Sequence, residues 1–201
     1  MMPIPNRDAV ALSARTLGAL FSYAPNSAEN APLVAAFQDG SWQQQWPFPV
    51  AAPLASGFGA SAEETLPEAG QRLFIGPWAL PAPPWGSVYT DRECVVFGEA
   101  TLALRAWMRR IGVARTTDER TPEDHIGLML ALLAYLAEER PELTDEYLRD
   151  HLLTWAPHYL EALEEAADHP FYQGLAALTR STLLGLQEAR GLEVVTPRFY
   201  R

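Results

Sequence analysis

Apolar residues recur at intervals of three and four along most of this chain, which is the spacing of one face of an α-helix. In the first such segment, residues 8–23, one face carries Val10, Ala14, Leu17 and Phe21. No segment alternates apolar and polar residues between hairpin turns, and no long internal repeat is visible. The chain is therefore predicted to be all-α.

The same spacing, bounded by proline, glycine and capping residues, predicts further helices over residues 31–37, 61–74, 98–111, 122–139, 144–155, 157–168 and 170–190. Residues 192–201 are predicted to form a tail. A chain of 201 residues is long enough to enclose a real core. We therefore predict one helical domain, residues 1–201, with about eight or more helices and one long loop rich in proline and tryptophan.

The clearest predicted helix start has Thr121 as N-cap, Pro122 at the first helical position and Asp124 in the first turn. Two interpretations of this segment stay open. Asp124 and His125 can be ordinary first-turn residues, or Asp124 can orient His125 and both can point to a ligand at the positive end of the helix. The second interpretation allows, as an alternative function, a hydrolase or a nucleotide-binding enzyme.

The 15 cationic side chains, histidine aside, are all arginine, and the formal net charge is −10. Without lysine the chain can form no P-loop lysine contact to a phosphate, no Schiff base and no Ser-Lys dyad. Its acidic balance also lacks the positive field that holds a nucleic-acid backbone. We therefore expect no nucleic-acid partner and none of these lysine-dependent activities.

The negative charge is concentrated in residues 118–168, which contain 14 carboxylates and three arginines, whereas the rest of the chain has a net charge of +1. This distribution has two interpretations. The carboxylates can be the solvated faces of amphipathic helices. Alternatively, they form a surface that steers a cationic partner toward the protein.

Cys94 is the only cysteine, so neither an intramolecular disulfide nor a cysteine-rich zinc site can form. The longest apolar run, residues 128–137, is far shorter than the roughly 20 residues that span a bilayer. The start of the chain shows no charged-then-apolar signal pattern, and His151 and His158 belong to no recognised metal-ligand motif. We expect a cytoplasmic monomer without membrane insertion, metal or cofactor.

The loop over residues 76–89, GPWALPAPPWGSVY, contains four prolines and the aromatic residues Trp78, Trp85 and Tyr89. Proline fixes backbone dihedrals and removes donors, so these rings would be held in place at low entropy cost. The rings can cover the core as plugs, or they can form a rigid apolar surface that binds a peptide. The loop is therefore the first candidate binding element.

Four segments carry a resemblance to a known family: ARTLGALFSYAP at residues 14–25, LF followed by GPWALPAPPWGSVYTDRE, PEDH at residues 122–125, and DHPFY at residues 168–172. Together they resemble the TorD/DmsD family of redox-enzyme maturation chaperones, most closely the branch that serves dimethyl sulfoxide reductase. The match extends from the first helix to Pro197-Arg198-Phe199 and covers nearly the whole chain.

The resemblance implies a cytoplasmic, all-helical chaperone, and not an enzyme, that binds the twin-arginine signal peptide of a molybdenum-containing reductase. Such a protein assists folding, cofactor loading and assembly of the precursor before export, so the precursor and the twin-arginine translocase are its expected partners. Carried over residue by residue, the resemblance implies a peptide-binding surface with two sides. One side would contain Leu73, Phe74, Trp78, Pro84, Trp85, Tyr89 and Gly98. The other side would contain Asp124 and His125.

A twin-arginine signal is a cationic stretch followed by an apolar one. We expect Asp124 and nearby carboxylates to accept charge-assisted hydrogen bonds from the two arginines. We expect the apolar stretch to contact Leu73, Phe74, Trp78 and Trp85.

Two positions depart from the family pattern. Gly70 stands where the family often has an aromatic residue, and Tyr89 stands where the closest branch tends to have tryptophan. Both changes are expected to reduce the apolar area of the groove, at a cost of roughly 1 to 3 kcal/mol of binding free energy for one lost indole.

Overall fold

The structure, a computed structural model, describes residues 4–115 and 120–201. These residues confirm the all-α prediction, because they form helices and contain no strand beyond an isolated bridge. The α-helices are α1 (Arg7–Ser22), α2 (Ala31–Asp39), α3 (Ala52–Gly57), α4 (Leu66–Phe74), α5 (Gly86–Thr90), α6 (Glu99–Arg110), α7 (Ile126–Glu139), α8 (Thr144–Tyr147), α9 (Ala156–Ala166) and α10 (Pro170–Arg190). Short 3₁₀ turns lie at Ser41–Gln45 and Pro141–Leu143, and a π-helical turn, Leu148–Leu152, follows α8.

Helix α1 packs along α7, and the two backbones touch where they cross. A Cβ atom on Gly18 would lie 2.9 Å from the carbonyl oxygen of Gly127, and a Cβ atom on Gly127 would lie 2.9 Å from that of Gly18. Real Cβ atoms do not approach a backbone oxygen so closely, so only glycine allows this crossing. The contact holds the first turn of α7 against the C-terminal half of α1.

The predicted apolar face of α1 is buried in the core, as its helical spacing requires. Helices α9 and α10 pack against each other and close the opposite side. Between them and α2 lies an aromatic cluster in which Phe37 stacks on Trp42 at 4.6 Å and Phe58 packs edge-on against Phe171 at 5.3 Å. This cluster explains why residues 41–57, for which no helix was predicted, form a 3₁₀ turn and α3.

The predicted start of the helix at Thr121 and Pro122 is wrong. Helix α7 begins at Ile126, and its N-cap is His125, whose Nδ1 accepts a hydrogen bond from the amide of Gly127 at 3.1 Å. Asp124 and His125 do not join the helix because they pair with the proline-rich loop, through a hydrogen bond from Gly86 to Asp124 and a bridge between Trp85 and His125.

Three other boundaries also differ from their predictions. Helix α4 starts at Leu66 rather than near residue 61, because Thr65 and Glu68 form a capping box and fix the first turn. The predicted helix over residues 144–155 divides into α8 and the π-helical turn. The predicted loop over residues 76–89 is shorter than expected, since its last residues belong to the short helix α5. The tail over residues 192–201 contains no helix, as predicted.

Substitution of either crossing glycine should destabilise the fold. For Gly18→Ala and Gly127→Ala we expect a loss of about 1 to 3 kcal/mol in the free energy of unfolding, because each new methyl group overpacks against a backbone oxygen. Urea unfolding followed by circular dichroism measures the change. Gly57→Ala is the matched control, since a Cβ there meets nothing within 4 Å and should not destabilise α3. Equal midpoints for all three variants would contradict the backbone contact.

Candidate functional site

Asp124 fastens the end of the proline-rich loop to two helices. Its carboxylate accepts hydrogen bonds from the amide of Ser87 at 2.7 Å and from Oγ1 of Thr101 at 2.8 Å. Its backbone carbonyl accepts a third hydrogen bond, from the amide of Gly86 at 3.1 Å. Asp124 is only 1% exposed, so its carboxylate supports the loop from inside the protein and does not face solvent.

The two residues before Gly86 also pair with the segment that leads into α7. Pro84 accepts a hydrogen bond from the amide of Ile126 at 2.9 Å, and Trp85 and His125 form an isolated antiparallel bridge. The ring of Trp85 stands edge-on to the imidazole of His125, with 5.5 Å between the centroids. The first turn of α7 and the loop therefore form one unit.

His125 is half-buried and neutral. Because its Nδ1 accepts the hydrogen bond from Gly127, the ring hydrogen must be on Nε2. Burial, assisted by the charge of Arg115, lowers the pKa of His125 to about 4. The imidazole is therefore an N–H donor at neutral pH.

A cavity of about 260 Å³ lies between the end of α1, α4 and the first turn of α7. Its lining includes aromatic, small and hydrogen-bonding residues, among them Phe21, Gly70, Gln71, Phe74, His125 and Tyr172. Two residues of the lining are exposed, Tyr23 at 52% and Ile75 at 69%, and Trp78, three residues after Ile75 in the chain, is exposed at 84%. We call the cavity with these three residues the α1–α4 groove.

The structure divides the predicted site residues into two groups. Phe74 and His125 line the cavity, Trp85 contacts His125, and Trp78 is exposed on the same loop. The others are placed differently, since Leu73, Pro84, Tyr89 and Asp124 are buried and Gly98 lies at the start of α6.

Tyr89 and Gly98 lie where the C-terminal tail crosses the loop. The carbonyl oxygen of Tyr89 accepts a hydrogen bond from the amide of Tyr200 at 2.9 Å, and the guanidinium of Arg201 donates to the carbonyl of Leu80 at 2.9 Å. The ring of Tyr89 is 1% exposed and stacks on Trp155 in the core. This side of the loop is therefore covered by the protein itself.

Gly98 is fixed by a neighbouring carboxylate. A Cβ atom at this position would lie 1.4 Å from Oδ2 of Asp91, so no other residue fits without moving Asp91. Gly98 therefore supports the start of α6, and it lies outside the α1–α4 groove.

Much of the acidic segment is paired with arginines of other elements. Glu123 bonds to Arg105 at 2.5 Å, and Asp145 bonds to Arg190 at 2.5 Å. Similar ion pairs, some within one element, join Glu138, Glu142, Glu146, Asp150, Glu161, Glu164 and Asp168 to arginines. Most carboxylates of the acidic segment are therefore paired with an arginine, while the net charge of −10 remains. Two of its members, Asp118 and Glu119, lie outside the described residues.

Residues 44–161 match the family model described as nitrate reductase delta subunit. The Tat proofreading chaperones DmsD of Salmonella typhi and Salmonella typhimurium are each 48% identical to this chain over 198 residues. The matched residues cover 97% of this chain and 97% of each relative. A crystal structure described as a redox enzyme maturation protein from Archaeoglobus fulgidus shares the fold, with a TM-score of 0.56 at 21% identity over 89% of this chain and 93% of that one. This chain belongs to the TorD/DmsD family of redox-enzyme maturation chaperones.

Membership of this family confirms the expectation of a chaperone and not an enzyme. The geometry agrees, because the carboxylate of Asp124 bonds to Ser87 and Thr101 while the imidazole of His125 bonds to Gly127. The two side chains do not form the pair that the alternative hydrolase would need. No group of three or more potential metal ligands occurs in the described ranges, and no helix there is long and apolar enough to cross a membrane.

The two departures from the family pattern have structural explanations. The space over Gly70 is occupied, since a Cβ there would lie 2.6 Å from the hydroxyl oxygen of Tyr172 and 3.6 Å from Pro25. The replacement of tryptophan by Tyr89 changes packing against Trp155 in the core. Tyr89 lies in the core and does not line the cavity, whereas Gly70 does line it.

Asp124→Asn should destabilise the protein by about 1 to 3 kcal/mol. The asparagine amide has only one acceptor oxygen, and its NH₂ group would face either the amide of Ser87 or the hydroxyl of Thr101, which are themselves donors. The free energy of unfolding in urea measures the loss. Asp168→Asn is the control: that carboxylate is exposed and lies 3.3 Å from Arg72, so its loss should cost less than about 1 kcal/mol. Similar small losses in both variants would contradict the buried role of Asp124.

His125 should make the stability depend on pH. Its folded pKa of about 4 lies below the ordinary value of 6.5, so between these values the unfolded chain binds more protons. The contribution is complete above pH 6.5 and is lost as the pH falls toward 4, by at most about 3 kcal/mol.

The variant His125→Asn isolates this effect, because asparagine retains a capping oxygen and does not titrate. Unfolding free energies measured from about pH 7 to about pH 4 should fall more steeply for the wild type than for the variant. Parallel curves for the two proteins would show that His125 contributes nothing to the pH dependence.

Proposed function

We propose that this protein binds the twin-arginine signal peptide of a molybdenum-containing reductase precursor in the α1–α4 groove. Binding takes place in the cytoplasm, where the protein acts as a monomer and assists folding, cofactor loading and assembly before the precursor reaches the translocase. The catalytic subunit of dimethyl sulfoxide reductase is the proposed client, since the relatives named DmsD are Tat proofreading chaperones.

The observation that carries this proposal is the exposure of large apolar residues at a cavity whose position is fixed by backbone contacts. Tyr23 and Ile75 are exposed in the lining of a cavity that Phe74 also lines, and Trp78 is exposed three residues after Ile75 in the chain. An isolated apolar side chain on a surface is ordinary, whereas a cluster beside a cavity is typical of a peptide-binding site. The apolar stretch of a signal peptide provides the complementary surface.

The charge of the protein supports the same partner. A net charge of −10 attracts a cationic segment and accelerates its encounter with the groove. Because Asp124 is enclosed, we propose that its effect on the peptide is indirect, through the position of Trp85 and the loop. The peptide arginines are then left to carboxylates at the protein surface.

Titration calorimetry with a panel of synthetic twin-arginine signal peptides tests the function. We expect one signal to bind and others to bind weakly or not at all. Trp78→Ala should weaken that binding by roughly 1 to 3 kcal/mol without changing the unfolding midpoint, because the ring is 84% exposed in the free protein. Leu184→Ala, an exposed apolar residue further along α10, is the control that should bind normally.

A second comparison separates the two roles of Asp124. If its carboxylate contacted the arginines, Asp124→Asn would weaken the binding of a twin-arginine peptide much more than the binding of the same peptide with paired lysines. Since we assign it a supporting role, we expect equal weakening of both peptides. Absence of binding by any peptide of the panel to the wild type would overturn the proposed function.

A further inference from the structure

Tyr172 is a buried residue that lines the cavity. The residue is only 2% exposed, and its ring packs edge-on against Phe74 at 5.3 Å and lies 6.2 Å from His169. No residue in the described ranges forms a hydrogen bond with its hydroxyl. The hydroxyl oxygen is not among the enclosed side-chain atoms without a partner, so it reaches the cavity that Tyr172 lines. A partner that enters the cavity from outside can therefore accept its hydrogen bond.

Gly70 is what leaves room for this hydroxyl. A methyl group on Gly70 would lie only 2.6 Å from the phenolic oxygen, whereas the next ring atom of Tyr172 is 3.5 Å away. Both residues line the same cavity as Phe74 and His125. The space left by the glycine therefore lets the phenol present its hydroxyl to the cavity.

The chemistry of the lining selects the group that can bind there. Burial raises the pKa of Tyr172, so its hydroxyl stays protonated, and His125 also presents an N–H group. No carboxylate belongs to the cavity lining, so a guanidinium would be left without a counter-charge. Neutral donors without a negative charge match a neutral acceptor oxygen.

The size of the cavity points to a piece of polypeptide. Its volume of about 260 Å³ is below that of ordinary small-molecule pockets, roughly 300 to 1,000 Å³. The acceptor that every peptide residue offers is its backbone carbonyl. In the interior of an α-helix this oxygen is already bonded, so the available carbonyls belong to extended segments or to helix ends.

We propose that the Tyr172 hydroxyl, made accessible by Gly70, is a binding subsite that donates a hydrogen bond to one backbone carbonyl oxygen of the bound signal peptide. This subsite rests on the proposed function. It requires the peptide to be non-helical, or at a helix end, where it crosses Gly70.

Tyr172→Phe removes the hydroxyl and retains the ring packing against Phe74. Titrating the full chain with the signal peptide that binds the wild type should show roughly 3- to 10-fold weaker binding, the range expected for one neutral hydrogen bond. The unfolding midpoint should not fall. Tyr159→Phe is the matched control, because its buried hydroxyl also lacks a partner but does not line the cavity. It should bind like the wild type.

Gly70→Ala provides a second, independent variant. Its methyl group collides with the phenolic oxygen, so both the unfolding midpoint and the affinity should fall. In the double variant Gly70→Ala/Tyr172→Phe the collision is removed, so the midpoint should recover while the affinity stays low. Recovery of both quantities would show that the hydroxyl has only a packing role.

An ester scan of the peptide identifies the carbonyl. Replacing one amide at a time by an ester weakens a single acceptor oxygen. One position should lower the affinity for the wild type and leave the affinity for Tyr172→Phe unchanged, which is the coupling expected of a direct contact. Wild-type affinity in Tyr172→Phe would overturn the subsite alone, whereas no binding of any peptide to the wild type would overturn the proposed function and the subsite with it.

Discussion

A single buried carboxylate, that of Asp124, determines how the candidate site is assembled. A charge enclosed by protein is tolerated only when hydrogen bonds replace its lost hydration, and here the donors come from Ser87 and Thr101. Meeting this requirement fixes the end of the proline-rich loop, the start of α5 and a turn of α6 relative to α7. The aromatic rings of the loop are thus held by an electrostatic requirement and not by apolar packing alone.

Most helices could be predicted from the sequence because helical periodicity and proline at first-turn positions are local signals. The start of a helix could not be predicted where it depends on a contact with residues distant in the sequence. Thr121 offers a good local cap, yet pairing of Asp124 and His125 with the loop moves the helix start to Ile126, with His125 as the N-cap. Histidine caps α10 as well, through His169. Residues 41–57 gain their structure from Phe37, Phe58 and Phe171, whose association no local pattern predicts.

The family resemblance proposed Phe74, Trp78, Trp85 and His125 as site residues without their arrangement, and of these Phe74 and His125 line the cavity. The resemblance gave no information on burial, so Asp124 and Tyr89 were assigned to a surface that the structure does not give them. Gly70 could be noted as a departure from the family pattern, but its neighbour Tyr172 is about a hundred positions away in sequence. Only the packing of α4 against the start of α10 brings the two together.

The contact between Gly18 and Gly127 has an evolutionary consequence. Because two main chains touch there, the distance between α1 and the first turn of α7 is set by atoms that every residue type shares. Substitutions of lining residues therefore cannot bring α1 and α7 closer together. Related proteins that keep both glycines should therefore keep the distance between α1 and α7. Their client preference should diverge through the exposed residues of the α1–α4 groove and through the loop.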